Sequence, residues 1–241
     1  MKKLKKYFTL LLVICVVQAL ISIDLICYAQ DKNEEKAQTH KFSFVGSWNE
    51  EKAREITTDI CKGWTFNDIQ EDYTINKSLS FQKDGIQKRF VQISRNGESC
   101  HFCPGLIGAI IFSERNGRWK VEFEDKTFAK YGSHGVPPEA KLIKIGSDRH
   151  GLLFQWWRNV QGGGAYVHYV ALIDLGDKRY KLILGEELYQ KEVAPKPVAP
   201  KVESVSTVKS DFYDIKINTK IYHFKEGKYK VFNKEVGNGN I

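Results

Sequence analysis

Arg115-Asn116-Gly117-Arg118-Trp119-Lys120-Val121-Glu122-Phe123 is the stretch that decides the fold class. Asn-Gly supplies the left-handed residue pair of a tight hairpin turn. Beyond it, Trp119, Val121 and Phe123 alternate with Lys120, Glu122 and Glu124, the two-residue period of a strand with one face buried. Residues 106–112 enter the turn from the other side as an apolar run. The segment therefore reads as a β-hairpin, with Glu122, Glu124 and Asp125 expected on its solvent side.

The same grammar extends in both directions. Upstream, Leu79 and Phe81 alternate with Ser78 and Ser80, Lys83-Asp84-Gly85 makes a turn, and Phe90-Val91-Gln92-Ile93 returns. Downstream, strands are expected at residues 142–145, 152–157, 166–175 and 180–184, then around Ile215 and Ile217, at 221–224 and at 229–232. Three hairpin closures share one shape: Asn116-Gly117-Arg118-Trp119-Lys120-Val121, Asp177-Lys178-Arg179-Tyr180-Lys181-Leu182 and Glu226-Gly227-Lys228-Tyr229-Lys230-Val231. In each, a polar turn reverses the chain, an aromatic faces the core and a lysine faces water. Repeated β-units, as in stacked sheets, a sandwich or a partial propeller, would produce this pattern. The period turns helical only near the start. Ser47-Trp48-Asn49-Glu50 matches a capping box, Ala53, Ile56, Thr57 and Ile60 follow at helical spacing, and Gly63 is a stop signal. The expected fold is mainly β, built of antiparallel hairpins, with one N-terminal amphipathic helix over about residues 49–62.

Between two of the hairpins lies Cys100-His101-Phe102-Cys103-Pro104-Gly105. Four readings compete there. Cys100 and Cys103 can form a structural disulfide across the bend, which is the favoured reading. Cys61, at the end of the helix, is the alternative partner and would close a longer loop, stabilising by roughly a further kcal/mol on the chain-entropy model. A redox site like that of thioredoxin would use Cys100 as nucleophile and Cys103 as resolving thiol, but it requires a helix N-terminus at the first cysteine, and Pro104-Gly105 followed by strand supplies none. A zinc site using Cys100, His101 and Cys103 with Cys61 or His134 lacks a second ligand pair at metal spacing. Pro104 stands where a c-type haem motif needs histidine.

The 241 residues carry 37 basic and 29 acidic side chains. Lys2, Lys3, Lys5 and Lys6 precede an apolar stretch over residues 7–23, and Cys27-Tyr28-Ala29 offers a small-x-small cleavage site, so residues 1–29 read as a secretory signal peptide. The expected location is periplasmic or secreted, with a membrane involved only through this segment if it stays uncleaved. Leu25-Ile26-Cys27 is not a lipobox. Without residues 1–29 the balance is 33 basic to 28 acidic, and the surplus is dispersed, which excludes an electrostatic stripe for nucleic acid. The remaining organisation is a flexible leader at 30–40, a β-rich domain with its helix at 41–189, a Pro-rich spacer at 190–205 and a C-terminal hairpin segment at 206–241, too short to fold alone.

Trp156-Trp157-Arg158, followed by Gln161-Gly162-Gly163-Gly164, is the most suggestive binding stretch. Neighbouring strand residues face opposite ways, so one tryptophan is expected inside and the other outside, and an exposed Trp beside Arg has the character of an interface anchor. The Gly run is not a phosphate cradle, because no Gly-Lys-Ser/Thr follows. His101, His134, His150 and His168 are the candidate bases, yet none sits in a nucleophile pattern, and His168 reads as a packed residue. No cofactor and no metal are expected.

Cys100-His101-x-Cys103-Pro104, the following aliphatic-Gly-Ala run, the Gly117-Arg118-Trp119 hairpin, Gly132-Ser133-x-Gly135 and Ile145-Gly146-x-x-Arg149-His150-Gly151 together resemble a group of exported bacterial β-rich proteins carrying a C-H-x-C-P motif, over about residues 76–185. Tyr213-Asp214-Ile215 with Gly227-Lys228-Tyr229 is similar to the closing strands of FG-GAP-type β-repeats, without their calcium-binding Asp-rich loop. These resemblances imply export and a β fold and no activity. The expected function is an exported, disulfide-stabilised, non-catalytic binding module for a protein or envelope ligand; the alternative is a thiol–disulfide oxidoreductase using Cys100 and Cys103.

Overall fold

The computed structural model describes residues 42–64, 73–100, 102–159, 166–176, 180–190, 199–206 and 211–231. The expected signal segment and leader, His101 and the Gly162-Gly163-Gly164 run lie outside the described residues. Among those described, the chain is mainly β with a single helix. In order the elements are β1 (Ser43–Val45), α1 (Glu50–Gly63), β2 (Tyr73–Ile75), β3 (Leu79–Lys83), β4 (Ile86–Arg95), β5 (Gly105–Arg115), β6 (Arg118–Tyr131), β7 (Lys141–Lys144), β8 (His150–Asn159), β9 (Tyr166–Asp174), β10 (Leu182–Gln190), β11 (Val202–Val205), β12 (Asp214–Ile217), β13 (Lys220–Lys225) and β14 (Lys228–Val231).

The strands form three antiparallel sheets. The first has the order β1-β6-β5-β4-β2, with β3 also on β4; the second is β10-β9-β8-β7 and the third β11-β12-β13-β14. Asp84-Gly85, Asn116-Gly117 and Glu226-Gly227 all close hairpins with consecutive left-handed residues, the turn whose twist matches that of the strands it joins. Trp119 and Tyr229 follow two of these turns and are buried. Tyr180 breaks the pattern: it precedes its strand and is itself left-handed, at φ 47°, which is strained for a bulky side chain. Residues 199–206, at the end of the Pro-rich stretch, include β11 as a strand of the third sheet.

The sheets stack. Phe81, Phe90, Ile107, Ala109 and Ile111 of the first sheet share one apolar cluster with Leu152, Phe154, Ala171 and Ile173 of the second. Leu153, Val170, Leu172 and Ile183, on the opposite face of that second sheet, share another with Ile215, Ile217, Tyr222 and Tyr229 of the third. Alternate residues of β8 and β9 thus serve alternate cores, which is why Gly151–Phe154 and Val170–Ile173 are apolar without interruption. Between the second and third sheets, the motif Ile145-Gly146-x-x-Arg149 acts as a joint. Tyr213 N donates to Ile145 O at 2.8 Å, Arg149 pairs with the buried Asp174 at 3.0 Å, and its guanidinium lies 4.4 Å from the Phe212 ring centroid. A Cβ on Gly146 would sit 2.2 Å from Asp211 O, so glycine alone permits this approach.

The other face of the first sheet is covered as well, since Val91, Ile93, Ile110 and Phe112 are buried. α1 buries Ala53, Thr57, Ile60 and Cys61, and Trp64 after its end reaches the backbone of Gly108. Asn49, not Ser47, caps α1: its side chain accepts from Lys52 N at 2.9 Å. Asn caps as well as Ser, and Glu50 is engaged elsewhere. It accepts from the indole of Trp48 at 2.7 Å and from the backbone and hydroxyl of Ser78 at 2.8 and 2.7 Å.

Register shifts alter one expectation. Ile111 pairs with Phe123 but Phe112 pairs with Val121, which leaves Glu122 as an extra, unpaired residue on β6. Such a bulge re-aims a side chain. Glu122 does not simply continue the solvated face: it forms an ion pair with Lys88, which is only 5% exposed.

Burial pushes the Glu50 carboxyl up, but the hydrogen bonds from Ser78 and Trp48 and the charge of Arg89 outweigh it and hold it below the ordinary value. Its stabilisation is therefore present above the ordinary carboxylate pKa and lost as pH falls through the lower folded value. Glu50→Gln should cost about 1–3 kcal/mol at neutral pH, and that gap should narrow in denaturant melts taken down to about pH 3.

Candidate functional site

Where β4 ends and β5 begins, the chain bends through residues 96–104. There Cys100 and Cys103 are joined, with Cα atoms 5.0 Å apart, inside a turn closed by Cys103 N to Cys100 O at 3.1 Å. Cys61 is free and buried, so the longer-range pairing does not form. No helix begins at Cys100, and α1, the one helix among the described residues, lies elsewhere in the chain. Glu98 Oε2 is 3.9 Å from Cys103 Sγ. A carboxylate beside a cysteine disfavours thiolate, the reverse of what activates a catalytic dithiol.

Against this bend packs a second loop, Gly132-Ser133-His134-Gly135-Val136. Gly135 N donates to Cys103 O at 2.9 Å, and Gly97 N donates to Gly135 O at 2.7 Å. The contact is backbone on backbone. A Cβ on Gly135, already left-handed, would meet Gly97 O at 2.6 Å and Glu98 O at 2.7 Å. The same loop reaches the second sheet: Ser133 Oγ donates to Trp157 O at 2.8 Å, and Arg158 Nη2 donates to Gly132 O at 3.3 Å. The disulfide thus fixes a carbonyl, the carbonyl fixes a loop, and the loop fixes the end of β8.

Trp156, Trp157 and Arg158 divide as strand alternation dictates. Trp156 stacks on Tyr131 at 4.9 Å and on Tyr169 at 5.2 Å, and Arg158 completes the row with its guanidinium 5.0 Å from the Tyr169 centroid. Tyr131 and Tyr169 are the residues that local sequence reading missed, because the row joins β6, β8 and β9 and no short window contains it. Trp157 lies on the other face, 38% exposed, edge-on to Tyr166 at 5.4 Å. Phe102 in the disulfide loop is 51% exposed and Val136 in the glycine loop 57%. These three apolar side chains are carried by the three segments, bend, loop and strand, that the hydrogen bonds tie together.

Two of the candidate bases, His150 and His168, are not brought together. His168 is buried opposite Trp157. His150, whose pKa burial lowers, starts β8, seven residues and so about 23 Å from that end of the strand. Among the described residues no group of three His, Cys, Asp or Glu is placed to hold a metal ion.

Cys61 sits beside Glu124 and Arg95, and burial, with the Glu124 charge adding, pushes its thiol up to about 12. An unfolded thiol ionises near 9, so the native state is favoured fully below that pH and progressively less as pH rises toward the folded value. Alkaline unfolding curves should show this slope, Cys61→Ala should flatten it, and native Cys61 should resist alkylation until denaturant is added. Replacing both Cys100 and Cys103 by serine should cost about 2 kcal/mol, the chain-entropy value for so short a loop, read as a shift in thermal midpoint with the β circular-dichroism signal retained. No family model, curated protein or solved structure matches the chain.

Proposed function

We propose that this chain is an exported, non-catalytic binding module whose ligand, a protein or an envelope component, is met at the disulfide-pinned end by Phe102, Val136 and Trp157. The observation that carries the reading is the exposure of Phe102, Val136 and Trp157 on three segments locked to one another by Gly135 N–Cys103 O and Ser133 Oγ–Trp157 O. Large apolar side chains held out to solvent on a preorganised backbone lower the entropy lost on binding, and tryptophan is among the residues most enriched at interface anchors. The Arg158 guanidinium, on the face of β8 opposite Trp157, is held by Tyr169 and Gly132 O and braces that end of the strand. Export is supported by the basic start, apolar run and cleavage site of residues 1–29, and by a disulfide, which persists in oxidising compartments.

A photo-crosslinking residue placed at position 102 in the producing cells should capture a specific partner. Phe102→Ala with Trp157→Ala should reduce its recovery by about tenfold or more, the loss of one to two interface anchors. Since both side chains are exposed, thermal stability should change by less than about 1 kcal/mol. Equal recovery by wild type and variant would overturn the reading, as would turnover of insulin disulfides by the purified chain that Cys100→Ser abolishes.

A further inference from the structure

At the opposite end of the first sheet, the β3–β4 and β5–β6 turns border a cavity of about 310 Å³. Its walls are Lys83, Asp84, Ile86, Lys88, Arg115, Glu122, Phe123 and Tyr180. The volume is at the lower end of the range for small-molecule sites. Three cationic side chains face two carboxylates, so the wall has a positive excess. Lys83 and Arg115 make no ion pair among the described residues. Lys88 is almost completely buried, and its ammonium has three donors, of which Glu122 engages one.

Two backbone irregularities build this wall. The β6 bulge turns Glu122 toward Lys88 while Phe123 keeps its place on the same face. Tyr180 is held left-handed at φ 47°, with its ring 4.5 Å from that of Phe123 in an edge-to-face contact. A bulky residue in that conformation persists only where its surroundings over-determine it, and such residues cluster at ligand sites. Burial and the Glu122 charge hold the Tyr180 phenol protonated, so it remains a donor.

From this juxtaposition we infer a second binding site, for a small organic anion. Lys83, Lys88 and Arg115 would meet a carboxylate or phosphate group, and a flat apolar body would lie on Phe123, Tyr180 and Ile86. The site is separate from the disulfide-pinned face: β4 and β5 run from one to the other.

Calorimetric titration of the folded chain with benzoate, phenyl phosphate, inorganic phosphate and benzyl alcohol tests it. Saturable binding of benzoate or phenyl phosphate is expected, the preferred one identifying the acid group. Benzyl alcohol and inorganic phosphate should each bind at least about tenfold more weakly, because one lacks the charge and the other the apolar body. Lys83→Gln with Arg115→Gln should weaken the preferred anion by about tenfold or more, whereas Trp157→Ala should leave it unchanged. Arg115 is exposed and Lys83 half-buried, each at the last position of its strand beside a turn, so folding should persist; if the double variant loses its circular-dichroism signal, Lys83→Gln alone carries the test and should still weaken binding. No saturable binding of either aromatic anion, equal binding of inorganic phosphate, or undiminished binding by the folded variant would overturn the inference.

Discussion

Burial of the second sheet on both faces is the constraint on which the rest of the molecule depends. Leu152 and Phe154 point into one core while Leu153 points into the other, and β9 divides Ala171 and Ile173 from Val170 and Leu172 in the same way. Slipping the β8–β9 register by one residue would exchange the two sets, so both cores specify it together. The outer sheets need only one apolar face each toward this layer. The third sheet is held by that face and by the Arg149–Asp174 and Tyr213–Ile145 contacts.

Rigidity at the candidate binding face has a different origin. There the organising groups are carbonyls. Cys103 O receives Gly135 N, Trp157 O receives Ser133 Oγ and Gly132 O receives Arg158. The disulfide matters because it fixes the first of these acceptors, not because its sulfurs are available. Phe102, Val136 and Trp157 are exposed on the segments that these bonds tie together.

Local pattern carried far in this chain. The Asn116-Gly117, Asp84-Gly85 and Glu226-Gly227 turns, the alternating strands around them and the one helix were all legible, because each is set within a few residues. The pairing of Cys100 with Cys103 and the opposite facing of Trp156 and Trp157 were legible for the same reason. What was not legible depends on distant partners. Ser47 met the capping rule as well as Asn49 did, and only the placement of Ser78 and Trp48 shows why Glu50 is not free to complete a box. Glu122 alternates correctly with its neighbours, and its turn toward Lys88 comes from a register shift against β5 that no reading of β6 alone contains. The Tyr131-Trp156-Tyr169-Arg158 row is likewise assembled from three strands.

Keeping Cys61 inside the fold has a consequence for how the chain acquires its covalent cross-link. Of the three cysteines from residue 42 onward, two are separated by only three positions, so their encounter carries the smallest closure entropy. Once α1 has docked, burial raises the Cys61 thiol's pKa, so it presents far less thiolate for exchange at neutral pH. Packing thus keeps the third sulfur from competing with the Cys100–Cys103 pairing.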